Sequence, residues 1–339
     1  MKICTTCVLP ESFPGIAFDE EGRCSYCRRY RGRDNQEKLK ERFKQKFLTI
    51  LEETKNKGPH DALMAYSGGK DSTYTLRLLK EVFGLRVLAI TFDHGFVSPI
   101  AMENIRNVTN ILNINLLTIR PGASILRSIF VKSMAQDIYP IKALERASSI
   151  CNSCMNLVKS FLIRNAIDMG VPIVAYGWSP GQAPIQSSVF KTNPSMVHQT
   201  QKAMVRVFDD EIRRNLSAFF LEEHHFERDS SSQSYKFPYI VHPLAFLDYD
   251  EEHILSTIQE LGWVNPTDTD ANSSNCLLNG FANEVHIKQY RFHPYAFEIA
   301  GLVREGYMTR EEGLKKLSIP PDPKVIDYVR RKLGVDNVI

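Results

Sequence analysis

The sequence predicts an α/β fold: a parallel sheet with helices on both faces, preceded by a cysteine-rich unit and followed by a helical extension. Three observations predict it. Short apolar runs alternate with helical stretches through the middle of the sequence, the pattern of a parallel sheet with helical crossovers. A glycine turn, SGGKDS (67–72), separates the first apolar run from the first helix of that series. Two C-x-x-C pairs lie within the first 27 residues. The boundaries that follow are 1–34 for the cysteine unit, 35–58 for a helical connector and 59–265 for the α/β domain. Residues 266–339 form a loop carrying Cys276 and the helical extension.

The 339 residues suffice for one large domain or two ordinary ones with an appendage. Hydrophobic residues make up 43% and charged residues 24%, an ordinary globular balance. No apolar run of about 18 residues is present, so no membrane span is expected. MKICTTCVLPES has no apolar core, so no signal peptide is expected. The expected compartment is the cytoplasm, where C-x-x-C pairs serve metals or redox chemistry more often than disulfides. A net charge of +3 neither demands a nucleic-acid partner nor excludes a local basic patch.

The cysteine unit reads CTTC, sixteen residues, then CSYC. Two tight knuckles at this distance can place Cys4, Cys7, Cys24 and Cys27 around one Zn²⁺. Pro10, Pro14 and Gly15 between them suit a small hairpin, and the metal supplies stability that so short a segment lacks. Four thiolates leave zinc no open position, so the site is structural. Unpaired cysteines or a disulfide are the alternative. RRYRGRD (28–34) and the Lys/Glu-rich helix to about Lys55 read as a solvated connector.

DALMAY (61–66) is the first strand, SGGKDS the turn, and TYTLRLLKEVF the helix. Strand, glycine turn and helix make a phosphate cradle. Gly68 and Gly69 let the backbone approach the ligand, and free N–H groups meet the positive end of the helix. Ser67 and Ser72 supply hydroxyls, and Lys70 neutralises phosphate charge. Asp71 can cap the helix or help hold Mg²⁺. The turn is no Walker A loop, since position 64 is Met where that pattern has Gly. RVLAITF (86–92), INLLTI (114–119), VPIVAYGW (171–178) and YIVHPLAF (239–246) supply further strands. Helices are expected over about 98–112, 122–136, 154–169, 200–228 and 250–263. The segment 280–334 reads as all helical, with T-R-E-E (309–312) as a capping box. His224 and His225 read as surface residues without partners. SPGQAPIQSS (179–188) lies where a substrate would enter.

The S-G-G-x-D-S string in this context resembles the pyrophosphate loop of the PP-loop ATP pyrophosphatases. Members of that family cleave ATP between its α and β phosphates and adenylate a carbonyl or amide oxygen. A nucleophile then displaces AMP. The resemblance implies adenosine across the ends of the first strands. That carries over to Ala65, Tyr66, the turn Ser67 to Ser72, and Thr91, Phe92, Asp93 and Gly177; Phe92 also suits a core position.

Cys151 and Cys154 in SSICNSCMN (148–156) lie before a helical stretch, where a thiolate is stabilised. Cys276 lies in the polar loop DANSSNCLLN (270–279). Three thiolates can hold a [4Fe–4S] cluster with one iron open. A persulfide resolved as a disulfide is a second reading, and Cys276 as a small buried hydrophobe a third. The set of zinc knuckles, PP-loop, central C-x-x-C and distal cysteine resembles the tRNA 2-thiolation branch of the PP-loop enzymes. That resemblance implies a cluster on Cys151, Cys154 and Cys276 beside the ATP, with the open iron carrying the sulfur. It implies catalytic roles for Lys70 and Asp71 as well. CTTCVLPESFPGIAFDEEGRCSYC is also similar to the opening of the N-acetyl sugar amidotransferases, which use ammonia from a glutaminase subunit. The expectation is an ATP- and Mg²⁺-dependent sulfurtransferase fed by a sulfur donor. Sugar amidotransfer is the alternative, and a non-catalytic nucleotide-binding regulator the third reading. The substrate stays open between a small molecule, a nucleotide and tRNA. No membrane partner is expected, and the closing helices offer a surface for a homodimer.

Overall fold

The structure is a computed structural model that describes residues 2–182, 184–205, 208–227 and 236–335. Its strands are β1 (Ala62–Ala65), β2 (Val87–Phe92), β3 (Asn115–Ile119), β4 (Ile173–Tyr176), β5 (Val189–Lys191) and β6 (Tyr239–Val241). They form one sheet in the order β3-β2-β1-β4-β6-β5. All pairings are parallel except that of β5, which runs antiparallel to β6 at the edge. The sheet builds outward from β1 through β2 to β3, then crosses back to β4 on the other side of β1. The carboxyl ends of β1 and β4 therefore flank the switch point, where sheets of this kind leave a crevice for ligands.

Alternation along the strands divides the core between the two faces. Leu63, Ile90, Val174 and Ile240 point to one face, under helices Ala123–Ala135, Ser149–Asp168 and Leu278–Tyr290. Ala62, Met64, Ala89, Ile173 and Val241 point to the other, under Arg33–Thr54, Pro99–Ile111 and Glu251–Gln259. The Lys/Glu-rich helix Arg33–Thr54 is thus no mere solvated connector. Phe43, Phe47, Ile50 and Leu51 recur on one side of it and are buried in this second core.

The cysteine unit closes its loops with isolated bridges, Ile3 to Pro10 and Phe18 to Cys24. It packs on the helical extension. The Phe13 ring lies 5.2 Å from Phe292 and 5.8 Å from Phe297, and Arg310 Nε donates to the carbonyls of Cys4 and Cys7 at 3.1 and 3.2 Å. The extension itself is four helices, Leu278–Tyr290, Ala296–Glu305, Arg310–Ser318 and Pro323–Leu333. Thr309 and Glu312 form the expected capping box.

Four expectations change. The strand expected over 239–246 stops at Val241, because Pro243 has no N–H to donate and opens a short turn, Pro243–Ala245. β5 escapes periodicity because it is three residues long. The helix expected over 200–228 is broken into Pro194–Val205, Asp210–Asn215 and two short turns, with 206, 207 and 228 outside the described residues. The helix expected from 154 begins at Ser149. No helix among the described residues is long and apolar enough to cross a membrane.

Candidate nucleotide and thiol site

The turn after β1 is held open by its neighbours. Gly68 has φ +75°, and a Cβ there would meet the Ala101 carbonyl at 2.5 Å, so both conformation and space require glycine. Trp263 Nε1 fixes the turn by donating to the Gly68 carbonyl at 2.9 Å. Ser67 and Ser72 hydroxyls are 3.0 Å apart, and the Ser72 and Thr73 hydroxyls donate to the Gly69 carbonyl at 3.0 and 2.9 Å. Gly177, just past β4, packs directly on Ser72; a side chain there would collide with the Ser72 Cα. Helix Lys70–Arg77 follows with Gly69 as N-cap, which has no side chain to cap it. Asp71 lies inside the first turn and is not the N-cap, contrary to one of its two expected roles. The first N–H groups of a helix have no partner within it and are able to receive an anion. One of them is engaged: Lys70 N–H donates to Ser274 Oγ at 3.0 Å.

Two cavities meet at this turn. One of about 200 Å³ is lined by Ala65, Tyr66, Thr91, Phe92, Gly177 and Trp178. The other, of about 280 Å³, is lined by Gly69, Lys70, Asp71, Cys151, Cys154 and Cys276. Ser67, Ser72, His94, Cys154 and Gly177 border both. Two expected nucleotide residues lie outside them. Gly68 faces helix Pro99–Ile111, and Asp93 accepts from Gly95 N–H at 2.9 Å and pairs with Arg120 at 3.5 Å. Thr91 lines the first cavity while its hydroxyl donates to the Tyr66 carbonyl at 2.8 Å. Phe92 is both a lining and a core residue.

The three cysteines converge although the sequence holds Cys276 far from the other two. Cys276 reaches the site by an isolated bridge with Val97, and its Sγ lies 3.8 Å from His94 Nε2. Ser148 caps the helix Ser149–Asp168 by accepting from Cys151 N–H at 3.1 Å, so Cys151 and Cys154 lie inside the helix and not before it. The expected stabilisation of thiolate at a helix start is outweighed. Burial pushes all three thiols up, Cys276 to about 12, and the other sulfurs' charges push Cys154 and Cys276 further. A bound cation reverses that balance, because it deprotonates the thiols that ligate it.

Other residues of the site give no signal in the sequence. Tyr249, 179 positions beyond Lys70, accepts from Lys70 Nζ at 2.7 Å and donates to Asp71 Oδ1 at 3.0 Å. Lys70 Nζ also contacts Asp71 at 2.9 Å and Glu251 at 3.4 Å. A larger cleft of about 660 Å³ opens past Cys151, lined by Arg146, Lys159, Trp178, Gln182 and Glu298. The Trp178 ring stacks on His242 at 4.4 Å, with Lys159 Nζ 4.9 Å above it. The SPGQAPIQSS loop contributes Gln182 to its lining.

At the N-terminus, Cys4, Cys7, Cys24 and Cys27 bring their sulfurs within 4.8 Å of one another. Cys4 and Cys27 are 3.8 Å apart, and Cys7 and Cys24 are 3.7 Å apart. Four sulfurs about 2.3 Å from one tetrahedral zinc are about 3.8 Å apart, so the set fits that ion. His224 is on the surface, as expected, and His225 is not: it is buried, and its Nε2 lies 2.9 Å from Asp168 Oδ1.

Sheet order, turn and cavities define a class: a doubly wound α/β protein with a glycine turn at its switch point and a thiol-lined cavity against it. No family model matches this protein. It is 25% identical over 296 residues to the uncharacterized protein MJ1599 of Methanocaldococcus jannaschii, covering 87% of this chain and 86% of that one. Among solved structures it is similar to the U34-tRNA thiolase NcsA of Methanococcus maripaludis with its [4Fe-4S] cluster. That match has TM-score 0.38 and 17% identity, over 96% of this chain and 91% of that one. It is also similar to the NH3-dependent NAD synthetase of Campylobacter jejuni, with TM-score 0.32 and 14% identity, over 54% of this chain and 92% of that one.

Proposed function

We propose that this protein is an ATP-dependent transferase of the PP-loop kind that adenylates a carbonyl or amide oxygen and replaces it with sulfur. One observation carries the reading: the phosphate-type turn and all three non-knuckle cysteines wall a single cavity of about 280 Å³. Adenosine would lie in the adjoining cavity against Ala65, Tyr66 and Gly177. The turn's N–H groups and the Ser67 and Ser72 hydroxyls would hold the phosphates. Lys70 would offset their charge, and Asp71 would offer a carboxylate to Mg²⁺. The substrate oxygen attacks the α-phosphorus, pyrophosphate leaves, and AMP leaves when sulfur attacks the activated carbon. Cys151, Cys154 and Cys276 would hold a [4Fe–4S] cluster, which when bound supplies an open iron for sulfur. Their sulfurs do not form a tight group like the N-terminal four, as suits ligands on separate irons. Cys4, Cys7, Cys24 and Cys27 would hold a structural Zn²⁺.

The cleft beside Cys151 favours a second reading. A pocket of about 660 Å³ with an aromatic wall suits a small-molecule acceptor, including an acetamido sugar receiving ammonia. The two reactions share the adenylated intermediate and differ in nucleophile. Anaerobic purification with iron, sulfide and zinc quantitation separates them. The expected result is about four irons per polypeptide, lost in Cys151→Ala and in Cys276→Ala, and one zinc retained in both. An iron-free protein fully active with ATP and ammonia would sink the sulfur reading. Absence of any ATP-to-AMP turnover would favour a nucleotide-binding regulator instead.

A further inference from the structure

The helix Ser149–Asp168 carries Cys151 and Cys154 in its first turns and ends on Asp168. Against that end lies the short turn Glu223–Phe226. His225 is buried there, with Nε2 2.9 Å from Asp168 Oδ1. The His224 ring lies beside it, tilted by 35°, with ring centroids 3.9 Å apart. One ligating atom from each of Asp168, His224 and His225 lies within 4.8 Å of the other two. Two donors about 2.0–2.1 Å from a tetrahedral zinc are about 3.4 Å apart, so modest side-chain rotation brings all three into range.

Two details go beyond an ion pair between Asp168 and His225. Nδ1 of His225 accepts from the Glu222 N–H at 2.9 Å and lies 3.2 Å from the Glu222 carbonyl, so the metal-free ring carries its proton on Nε2 and donates it to Asp168 Oδ1. Zinc at Nε2 would take the place of that proton, the ring hydrogen moving to Nδ1 and turning to the carbonyl. A backbone carbonyl holding the far ring N–H is the usual support of a metal-bound histidine. The local charge also suits a cation. Among the described residues, Asp168, Glu222 and Glu223 lie around the histidines, and the Arg164 guanidinium lies 3.5 Å from Asp168 Oδ2 and 2.9 Å from Glu222 Oε1. An ion pair would use one imidazole; two adjacent imidazoles and a carboxylate make a ligand set for zinc.

We infer that Asp168, His224 and His225 form a zinc site, with water completing the shell, that clasps the Glu223–Phe226 turn to the end of the cysteine-bearing helix. The site is separate from the proposed reaction and stands whether sulfur or nitrogen is transferred.

The test is equilibrium dialysis of the full-length protein against Zn²⁺ with metal quantitation. Cys151→Ala and Cys276→Ala remove the competing thiol cavity, and the four-cysteine site is filled first. The expected result is one further equivalent of zinc and a higher Tm. His224 is exposed, so His224→Ala leaves the core intact; it and Asp168→Asn should each weaken that equivalent at least tenfold. In the unmodified protein, X-ray absorption should add a nitrogen and oxygen shell beside the sulfur shell. No further equivalent, no such shell, or binding that survives both substitutions overturns the site and leaves Asp168–His225 as an ion pair.

Discussion

Glu298 lines the large cleft, and its Oε1 accepts from Ser179 Oγ at 2.5 Å. Burial pushes its carboxyl up to about 7. The folded protein therefore holds a proton that the unfolded one releases at ordinary carboxylate pH. Stability falls as pH rises from about 4.5 to about 7 and is level above. Glu298→Gln keeps an acceptor for Ser179 and removes the ionisation. It should raise Tm at pH 8 and leave it unchanged at pH 4.5, a pattern that thermal melts across that range would show or refute. Lys159, beside Trp178, is pushed down to about 8 by burial alone. Neither residue is legible in the sequence, because a glutamate or lysine becomes unusual only when distant segments strip its water. The cysteines are legible because thiols are few and their spacing is itself a signal.

The elements around the turn act as a mould. Gly68 is shaped by helix Pro99–Ile111 and Gly177 by Ser72, so two segments more than a hundred residues apart set one backbone path. Gly177→Ala should push β4 and the turn apart and weaken ATP binding at least tenfold; unchanged affinity by calorimetry would show that the close approach is dispensable. The parallel strands and their helices are readable because each strand is a short apolar run followed by a turn signal. β5 is not, since three residues show no period. The charged pattern over 200–228 has no apolar stripe long enough to hold one helix against the core, so the helix expected there does not form as a unit. The start of the cysteine helix hides for a local reason. Ser148 caps it well before the regular apolar positions begin at Leu157 and Val158.

At the scale of the whole molecule, the two ends of the sequence meet. The cysteine unit rests on the helical extension through Phe13, Phe292 and Phe297, and through Arg310. No spacing rule joins residue 13 to residue 297, so this contact is invisible without the fold. Phe13→Ala should cost about 3–5 kcal/mol. Removal of the zinc proposed for Cys4, Cys7, Cys24 and Cys27 should loosen the same region, and the two effects should be less than additive in denaturant melts; full additivity would mean that metal and ring act independently. One small contact has a wider consequence. The Ser274 hydroxyl accepts from Lys70 N–H, the first N–H of the helix after the glycine turn, at 3.0 Å. Two residues further on is Cys276, anchored to the β2 side by its bridge with Val97. The glycine turn and the third thiol are thus joined through one short backbone segment, with Ser274 on the turn and Cys276 in the cavity wall beside it.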